Sequence, residues 1–267
     1  MQNCIQPNYF VCLRRYSRIM KQYEAVILTL EKLGGIATLG EINQRIFDIQ
    51  ECEWKTKTPF ASIRRIVQTN QDIYRIKPGL YALKKYQTEL ESRGIFIETE
   101  DNKNSQDIVL FNHSYYQGML VTVGNLRRMG TYIPNQDKNK YFLSKRLGEI
   151  SSLGTLPHFS YDSLTSRCST VDVIWFNERK MPASLFEIEH STDIQNSLLK
   201  FNELRDFAAR MIIVADKCRK YEYLKKIHYS SFSDLLSPIP RVSFLSYDEL
   251  NKQYEFEIER QYLETII

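Results

Sequence analysis

The amino-acid sequence predicts an α/β (α+β) chain with two domains, and two observations support this. Three helical patterns followed by a β-hairpin lie between residues 23 and 83. Beyond residue 110, apolar strands alternate with helices, which is typical of a mixed β-sheet flanked by helices. The chain has 267 residues, 43% of them hydrophobic, so it can bury one large core or two modest ones.

The N-terminal residues 1–20 form an arm rich in arginine and aromatic side chains, without clear periodicity. Apolar residues then recur at helical spacing between Tyr23 and Leu33. Two glycines follow at positions 34 and 35, where a C-terminal helix cap is expected. This pattern predicts the first helix.

Capping residues predict where the next two helices begin. Thr38 followed by Glu41 is a capping box, and apolar residues continue from it at helical spacing. Thr58 can cap a third helix, with Pro59 at its first position, where the missing N–H of proline is tolerated.

Short apolar strands at 73–76 and 80–83 flank a Lys-Pro-Gly turn and predict a hairpin. Three helices closed by a hairpin indicate a winged helix, so we assign residues 1–85 to a winged helix-turn-helix domain with an N-terminal arm. Residues 86–107 are rich in polar and charged side chains and are interpreted as a linker. Residues 108–267 form the second domain.

The second domain alternates strands and helices, which predicts a mixed sheet. Its expected elements are a helix over 116–126, strands 171–176 and 183–189, a helix over 194–209, strand 211–215, a helix over 221–227 and strand 242–245. Ser246 and Glu249 form a second capping box, which begins a last helix.

Bulk properties exclude several classes of protein. The five cysteines are odd in number and include no Cys-x-x-Cys pair, which argues against a disulfide framework and against a zinc finger. A net charge of +4 is mild, so a nucleic-acid footprint has to be local. No apolar run is long enough to span a bilayer and no signal peptide is seen, so we expect a cytoplasmic protein without membrane association.

Three acids suggest a metal site. Asp172 is a lone carboxylate within the apolar run 171–176, and a buried carboxylate usually has a charged or metal partner. Glu187 and Glu189 fall on one face of the next strand because side chains alternate with a period of two. If the two strands pair as a hairpin, these oxygens suit a hard cation such as Mg²⁺, with Mn²⁺ as a substitute. Such a cation can assist phosphodiester hydrolysis.

Spacing alone leaves open an alternative in which the three acids have no metal and serve only the structure. Glu187 and Glu189 can form the solvent face of an ordinary strand, and Asp172 can pair with a nearby arginine or lysine. The apolar surroundings of Asp172 weigh against this alternative, as does the helix that follows the second strand.

These residues resemble the PD-(D/E)XK nuclease superfamily, in which an acid on one strand is followed by an acid-x-Lys on the next. The match here is Asp172 and then Glu187-Ile188-Glu189, so that glutamate stands where a lysine is usual. The resemblance implies a restriction-endonuclease-like sheet, with Glu189 as a metal ligand or general base. It also implies that a helix carrying His113 and Gln117 borders the active site, although an acid often found there is missing.

Residues 58–65 and 74–81 are similar to the HARE helix-turn-helix, a winged helix found in restriction enzymes and chromatin proteins. A HARE domain followed by a nuclease is typical of restriction systems. The two resemblances therefore support one another.

Candidate DNA contacts follow from the predicted recognition helix and from basic residues beyond it. Arginine can read guanine and glutamine can read adenine in the major groove, and lysine suits phosphate. Winged helices also bind proteins, and surface charge is often only solvated. The candidates are Ser62, Arg64, Arg65 and Gln68 on the third helix, Lys77 in the wing, and Arg127, Arg128, Lys138 and Lys140 in the second domain.

The sequence thus predicts a Mg²⁺-dependent type II restriction endonuclease that cuts double-stranded DNA. We expect a homodimer, because two strands must be cut. We also expect a cognate DNA methyltransferase in the same restriction system. A non-catalytic DNA-binding regulator with a degenerate nuclease fold is the main alternative, favoured by the missing lysine. An RNA nuclease would use the same acids.

Overall fold

The computed structural model of the chain describes residues 20–266, so the predicted arm lies almost wholly outside the described residues. The helices are α1 Gln22–Lys32, α2 Leu39–Arg45, α3 Pro59–Thr69, α4 Gln87–Ser92, α5 Gln106–Leu126, α6 Leu147–Ile150, α7 Asp162–Cys168, α8 Ile194–Glu203, α9 Lys220–Ile227, α10 Ser233–Leu236 and α11 Tyr247–Ile266. The strands are β1 Ile36–Thr38, β2 Ile73–Lys77, β3 Leu80–Leu83, β4 Gly130–Tyr132, β5 Tyr141–Phe142, β6 Lys145–Arg146, β7 Val173–Phe176, β8 Pro182–Glu189, β9 Arg210–Ala215 and β10 Val242–Ser246.

The N-terminal elements follow the predicted order of three helices and a hairpin. β2 and β3 pair antiparallel, and β1 adds a third strand on the other side of β3, with Ile36 opposite Ala82. The assignment of this unit as a winged helix remains a prediction.

Two of the predicted capping devices are confirmed. The Thr38 and Ser246 main-chain N–H groups donate to the side chains of Glu41 and Glu249, and each hydroxyl accepts a hydrogen bond in return. The predicted cap of α3 is wrong in one respect, because the Thr58 side chain accepts no capping hydrogen bond. Pro59 at the first position fixes the start of that helix instead.

A five-stranded mixed sheet forms the centre of the second half, in the order β10, β9, β8, β7, β4. β8, β9 and β10 are parallel, whereas β7 and β4 are antiparallel to their neighbours. Trp175 and Phe186 face a core shared with α5 and α11, while Ile174 and Leu185 face a second core shared with α8 and α9. The sheet therefore lies between two helical layers, which confirms the predicted mixed α/β architecture.

Several boundaries differ from the predictions. α5 begins at Gln106, well before the predicted helix, because the Ser105 side chain accepts the N–H of Ile108 and caps it. β7 begins at Val173, so Asp172 lies in a bend just ahead of the strand rather than inside it. α8 ends at Glu203, and a turn leads from there into β9.

Residues 86–107 are not an extended tether. They include α4, and Leu90 and Ile95 are buried at 1% and 2% exposure. Both belong to the core cluster that also contains Ile76 and Leu80 of the hairpin and the buried face of α5. The N-terminal unit and the sheet domain thus share one apolar core. None of the helices in the described part of the chain is long and apolar enough to cross a membrane.

Gly118 in the middle of α5 is required by close packing. A Cβ atom at this position would lie 2.0 Å from Cγ of Phe142, whereas a Cβ at Gly40 in α2 would meet its nearest neighbour at 3.6 Å. Alanine is preferred over glycine within a helix by about 1 kcal/mol. A Cβ atom therefore has room at Gly40 but not at Gly118.

We predict that Gly118→Ala lowers the free energy of unfolding by about 1–3 kcal/mol, the usual range for overpacking. The control, Gly40→Ala, should raise it by up to about 1 kcal/mol. Urea unfolding followed by circular dichroism measures both. Equal effects at the two positions would contradict the packing argument.

Candidate active site

The two glutamates of β8 lie on one buried face of the sheet. Glu187 and Glu189 are only 4% and 5% exposed, whereas Phe186 and Ile188 point to the opposite face and pack beneath α5 and α11. The alternative in which these glutamates form a solvent face is therefore wrong. Two carboxylates are held at the carboxyl end of a central strand, under α8.

Asp172 reaches the same end of the sheet from the neighbouring strand. The β7–β8 register pairs Val173 with Phe186, which brings Asp172 beside Glu187. Its Oδ2 accepts a hydrogen bond of 2.7 Å from the main-chain N–H of Ile188. Its Oδ1 lies 3.6 Å from Nε2 of His113. The bend before β7 thus fixes the Asp172 carboxylate between β8 and α5.

Lys200 on α8 forms an ion pair with Glu187. Its Nζ lies 2.7 Å from both carboxylate oxygens of Glu187 and donates to the main-chain oxygen of Thr170 at 2.8 Å. The Lys200 side chain is 17% exposed and that of Glu187 is 5% exposed. The acid that needs a cation inside the protein therefore receives one from the next helix.

Hydroxyl groups hold Glu189. Ser197 and Thr192 both donate to its carboxylate, and Ser197 also lies 3.1 Å from Oε2 of Glu187. Ser197 precedes Lys200 by three residues, so both side chains lie on the face of α8 that covers the sheet. His190, the next residue along the chain, stacks on Tyr247 of α11 instead, on the other side of the sheet.

Gln117 on α5 links Asp172 to a fourth acid. The side chain of Gln117 is fully buried, and its Nε2 donates to Asp137 Oδ2 at 2.8 Å and to the main-chain oxygen of Asp172 at 3.0 Å. Asp137 is 2% exposed and pairs with Lys140 Nζ at 2.6 Å. Gln117 is therefore buried rather than part of a solvated helix surface, and a further acid, Asp137, reaches it from the turn at 135–137.

Burial sets the ionisation of the strand acids. It raises the pKa of Glu187 from 4.5 to about 8, with repulsion from Asp172 adding to the shift and Lys200 opposing it. Burial also raises the pKa of Asp172, against the attraction of His113. The pKa of Glu189 rises for the same reason, against the hydrogen bonds from Ser197 and Thr192. A cation among these acids would relieve this penalty.

The oxygen donors fit a hard divalent cation. Asp172, Glu187 and Glu189 lie at one end of the sheet, in surroundings that penalise their negative charge. Among the described residues, the acids and histidines with ligand atoms within 4.8 Å of one another are His113, Asp137 and Asp172, so the two glutamates lie outside that tighter group. Carboxylate oxygens are the ligands that Mg²⁺ prefers. The predicted ligand set is therefore chemically suited to Mg²⁺ or Mn²⁺.

Sequence reasoning missed three residues of this site, namely Asp137, Ser197 and Lys200. Asp137 lies in a polar loop without periodicity, so no pattern marks it. Ser197 and Lys200 carry a weak signal, because an i, i+3 polar pair interrupts the apolar face of the helix that follows the acidic strand.

The candidate DNA contacts on α3 lie at the surface. Arg64, Arg65 and Gln68 are exposed and Ser62 is half-buried. Arg64 lies near Glu255 of α11, whose negative charge it favours. α3 thus presents these polar side chains to solvent, and Arg64 is the one that lies near α11.

Lys77 was expected to contact phosphate, and that expectation is wrong. Its side chain is 4% exposed and its Nζ lies 3.2 Å from Glu98 and 4.6 Å from the ring centre of Tyr116. Burial lowers the pKa of Lys77, and Glu98 partly opposes that shift. Lys77 therefore joins the hairpin to α5 rather than facing DNA.

The other basic candidates have mixed environments. Arg127 donates to the buried Glu257 at 2.7 Å, and Arg128 is exposed. Lys138 donates to Asn135 and to the main-chain oxygen of Gly154, both at 2.6 Å. Lys140 belongs to the acid cluster through Asp137.

Comparison with known proteins places the sheet domain among restriction-enzyme domains. A family model described as the type II restriction enzyme NmeDI C-terminal domain matches residues 97–266, more than half of the chain. The chain belongs to this family.

A curated relative, the type II restriction enzyme NmeDI of Neisseria meningitidis serogroup C, is 21% identical over 159 residues. The aligned region covers 56% of this chain and 44% of the relative, so the chain spans less than half the length of that enzyme. No solved structure matches the chain. The match begins at residue 97, so the N-terminal helices and the hairpin lie outside the family region.

The raised pKa of Glu187 predicts a pH-dependent stability in buffer containing EDTA. The folded protein holds the proton more tightly than the unfolded chain, so the contribution of Glu187 to folding is greatest below about pH 4.5 and is lost as the pH rises towards about 8. Glu187→Gln lacks this titration. Its free energy of unfolding should therefore rise relative to wild type between pH 5 and pH 9, by up to a few kcal/mol.

Urea unfolding at several pH values measures this difference. Glu178→Gln, in the exposed turn between β7 and β8, serves as the control, because its side chain is in water whether the chain is folded or unfolded. A Glu187→Gln difference that does not change with pH would rule out the assigned shift.

Proposed function

We propose that this chain is a metal-dependent endonuclease of the type II restriction class, which hydrolyses phosphodiester bonds of double-stranded DNA. The observation that carries the proposal is the placement of Asp172, Glu187 and Glu189 at one end of a central sheet, with His113 and Asp137 beside Asp172, in a domain of a restriction-enzyme family. Buried acids of raised pKa are typical of functional sites.

Each acid has a role that its surroundings favour. Asp172 and Glu187 hold the cation, with Asp172 fixed by the Ile188 N–H. Glu189, oriented by the Ser197 and Thr192 hydroxyls, accepts a proton from the attacking water or completes the cation site. Bound Mg²⁺ or Mn²⁺ supplies the positive charge that polarises the scissile phosphate and lowers the pKa of water.

The position of Lys200 weakens the main argument for a degenerate nuclease, which is the missing lysine on the strand. Glutamate occupies the strand position where lysine is usual in the resembling superfamily, yet α8 brings an ammonium to within 2.7 Å of Glu187. We propose that Lys200 contributes the positive charge that steadies the phosphate during cleavage. It reaches the site from a helix rather than from the strand.

The proposal includes partners. Exposed Arg64, Arg65 and Gln68 on α3 contact DNA, in keeping with their positions at the surface. Two copies of the chain act together, one for each strand, because each copy carries one set of acids. A DNA methyltransferase that protects host DNA is the expected companion of such an enzyme.

A non-catalytic DNA-binding regulator is the competing function, and one observation favours it. Lys200 and the hydroxyls of Ser197 and Thr192 satisfy the strand glutamates without any ion. Glutamates whose charge and hydrogen bonds are satisfied in this way can stabilise the fold without binding a metal ion. Cleavage assays separate the two functions.

We predict that purified wild-type protein cuts duplex DNA with Mg²⁺ or Mn²⁺ and that Asp172→Asn or Glu187→Gln lowers the cleavage rate at least about 100-fold, because the lost ligand weakens charge stabilisation of the transition state. Asp162→Asn, at a side chain that is 96% exposed, is the matched control and should keep the wild-type rate. Methylated and unmethylated duplexes and single-stranded RNA serve as substrates. Equal cleavage rates in wild type and in Asp172→Asn would contradict the assignment of Asp172 to the catalytic site.

Lys200 is tested by separating stability from cleavage. Above about pH 8, where Glu187 is ionised, Lys200→Met leaves its buried carboxylate without a cation, which should cost up to about 3–5 kcal/mol of unfolding free energy. Adding Glu187→Gln should restore most of that stability, because the unpaired charge is gone. Cleavage should remain at least tenfold reduced in Lys200→Met and lost in the double variant.

Lys225→Met, at an exposed lysine of α9, is the matched control and should change neither quantity. Chemical unfolding gives the stability of each variant, and DNA cleavage gives its activity. If Lys200→Met keeps the wild-type cleavage rate under conditions where it is folded, Lys200 serves structure alone.

A further inference from the structure

A second group of candidate ligands shares Asp172 with the predicted cation site. One atom each from His113, Asp137 and Asp172 lies within 4.8 Å of the others. The three residues come from α5, from the turn at 135–137 and from the bend before β7. We propose that these residues, together with the side-chain oxygen of Gln117, form a site for a divalent transition-metal ion such as Mn²⁺.

The spacing of His113 and Asp172 supports a shared ion. Nε2 of His113 and Oδ1 of Asp172 are 3.6 Å apart, longer than a normal hydrogen bond between nitrogen and oxygen. Two ligands bound at roughly 2.1 Å to one cation lie about 3–3.5 Å from each other. The observed 3.6 Å is slightly longer than that range, so a small approach of the two side chains brings both atoms to one ion.

Gln117 provides an independent observation. Its side chain is fully buried, and its Oε1 has no hydrogen-bond partner among the described residues. The Nε2 atom of the same planar amide contacts both Asp137 and the main chain of Asp172, so this amide, with its unpartnered oxygen, borders the cluster. Buried polar atoms are rarely left unsatisfied, and a cation would satisfy this one.

The chemistry of the donors selects the ion. Carboxylate and amide oxygens bind Mg²⁺ and Mn²⁺ alike, but an imidazole nitrogen favours transition metals over Mg²⁺. Lys140 Nζ, 2.6 Å from Asp137 Oδ1, holds that acid when no ion is bound. Each carboxylate oxygen has two acceptor sites, so Asp137 can keep its contacts and still bind an ion.

This site differs from the cation site proposed for cleavage, in which Asp172 joins Glu187 and Glu189. Asp172 belongs to both sets, with Oδ1 towards His113 and Oδ2 held by Ile188. Use of the second ion in cleavage rests on the proposed function, whereas binding of that ion does not.

The decisive experiment is electron spin-echo spectroscopy of Mn²⁺ bound to the full chain. We expect modulation from a directly bound ¹⁴N nucleus in wild type, its loss in His113→Gln, and its change on labelling with [¹⁵N]histidine. His158→Gln is the matched control, because His158 also lies beside an aspartate, at 3.2 Å, but is 74% exposed. The chain has four histidines, so the set of variants is small.

Titrations of Mn²⁺ and Mg²⁺ by calorimetry give the affinities. Wild type should bind Mn²⁺ at least about tenfold more tightly than Mg²⁺, and His113→Gln should lose most of that preference. Asp137→Asn should weaken both ions by about tenfold or more.

Absence of nitrogen modulation in wild type saturated with Mn²⁺, or its persistence in His113→Gln, would overturn the inference. The labelling experiment uses wild type only, so it shows whether a histidine binds the ion even if His113→Gln does not fold, and His113 is the histidine that lies beside Asp137 and Asp172. DNA cleavage is measured on the same samples. Nitrogen coupling without cleavage would leave this site standing and remove the proposed function, and cleavage without nitrogen coupling would do the reverse.

Discussion

The burial of negative charge at one end of the central sheet is the constraint on which the site depends. Asp137, Asp172, Glu187 and Glu189 converge there, and an unpaired carboxylate inside a protein is expensive. Lys140 pairs with Asp137 and Lys200 pairs with Glu187, while His113 faces Asp172. Burial, with repulsion from Asp172 adding to it, still raises the pKa of Glu187. Buried acids arranged in this way favour the binding of a positively charged ligand.

The same site is held by elements from every layer of the domain. β8 presents its glutamates to α8, whose Ser197 and Lys200 contact them, and α5 reaches the site through Gln117 from the other layer. An unsatisfied member of a buried polar network is costly. Displacing either helix would therefore disturb the carboxylates as well as the core.

The N-terminal unit is also tied to this frame. Lys77 of the hairpin lies among Glu98 and the aromatic rings of α5, and Tyr116 of α5 stacks on Tyr247 of α11 with ring centres 3.7 Å apart. The hairpin and α5 share one apolar core. Although the family match begins only at residue 97, the preceding elements therefore pack against the restriction-enzyme domain directly.

The sequence by itself determined the local structure and the strand acids. Apolar periodicity and capping boxes predicted the longer helices and the main strands along the chain, because these signals depend on neighbouring residues alone. The alternation of β8 put Glu187 and Glu189 on one face for the same reason. The order of the strands in the sheet was not predicted. Tertiary structure decided the remainder, since Asp137, Ser197 and Lys200 reach the acids only when a turn and a helix pack on the sheet. Packing also buried Lys77, which local pattern had placed at the surface, because no signal within the hairpin shows that α5 covers it.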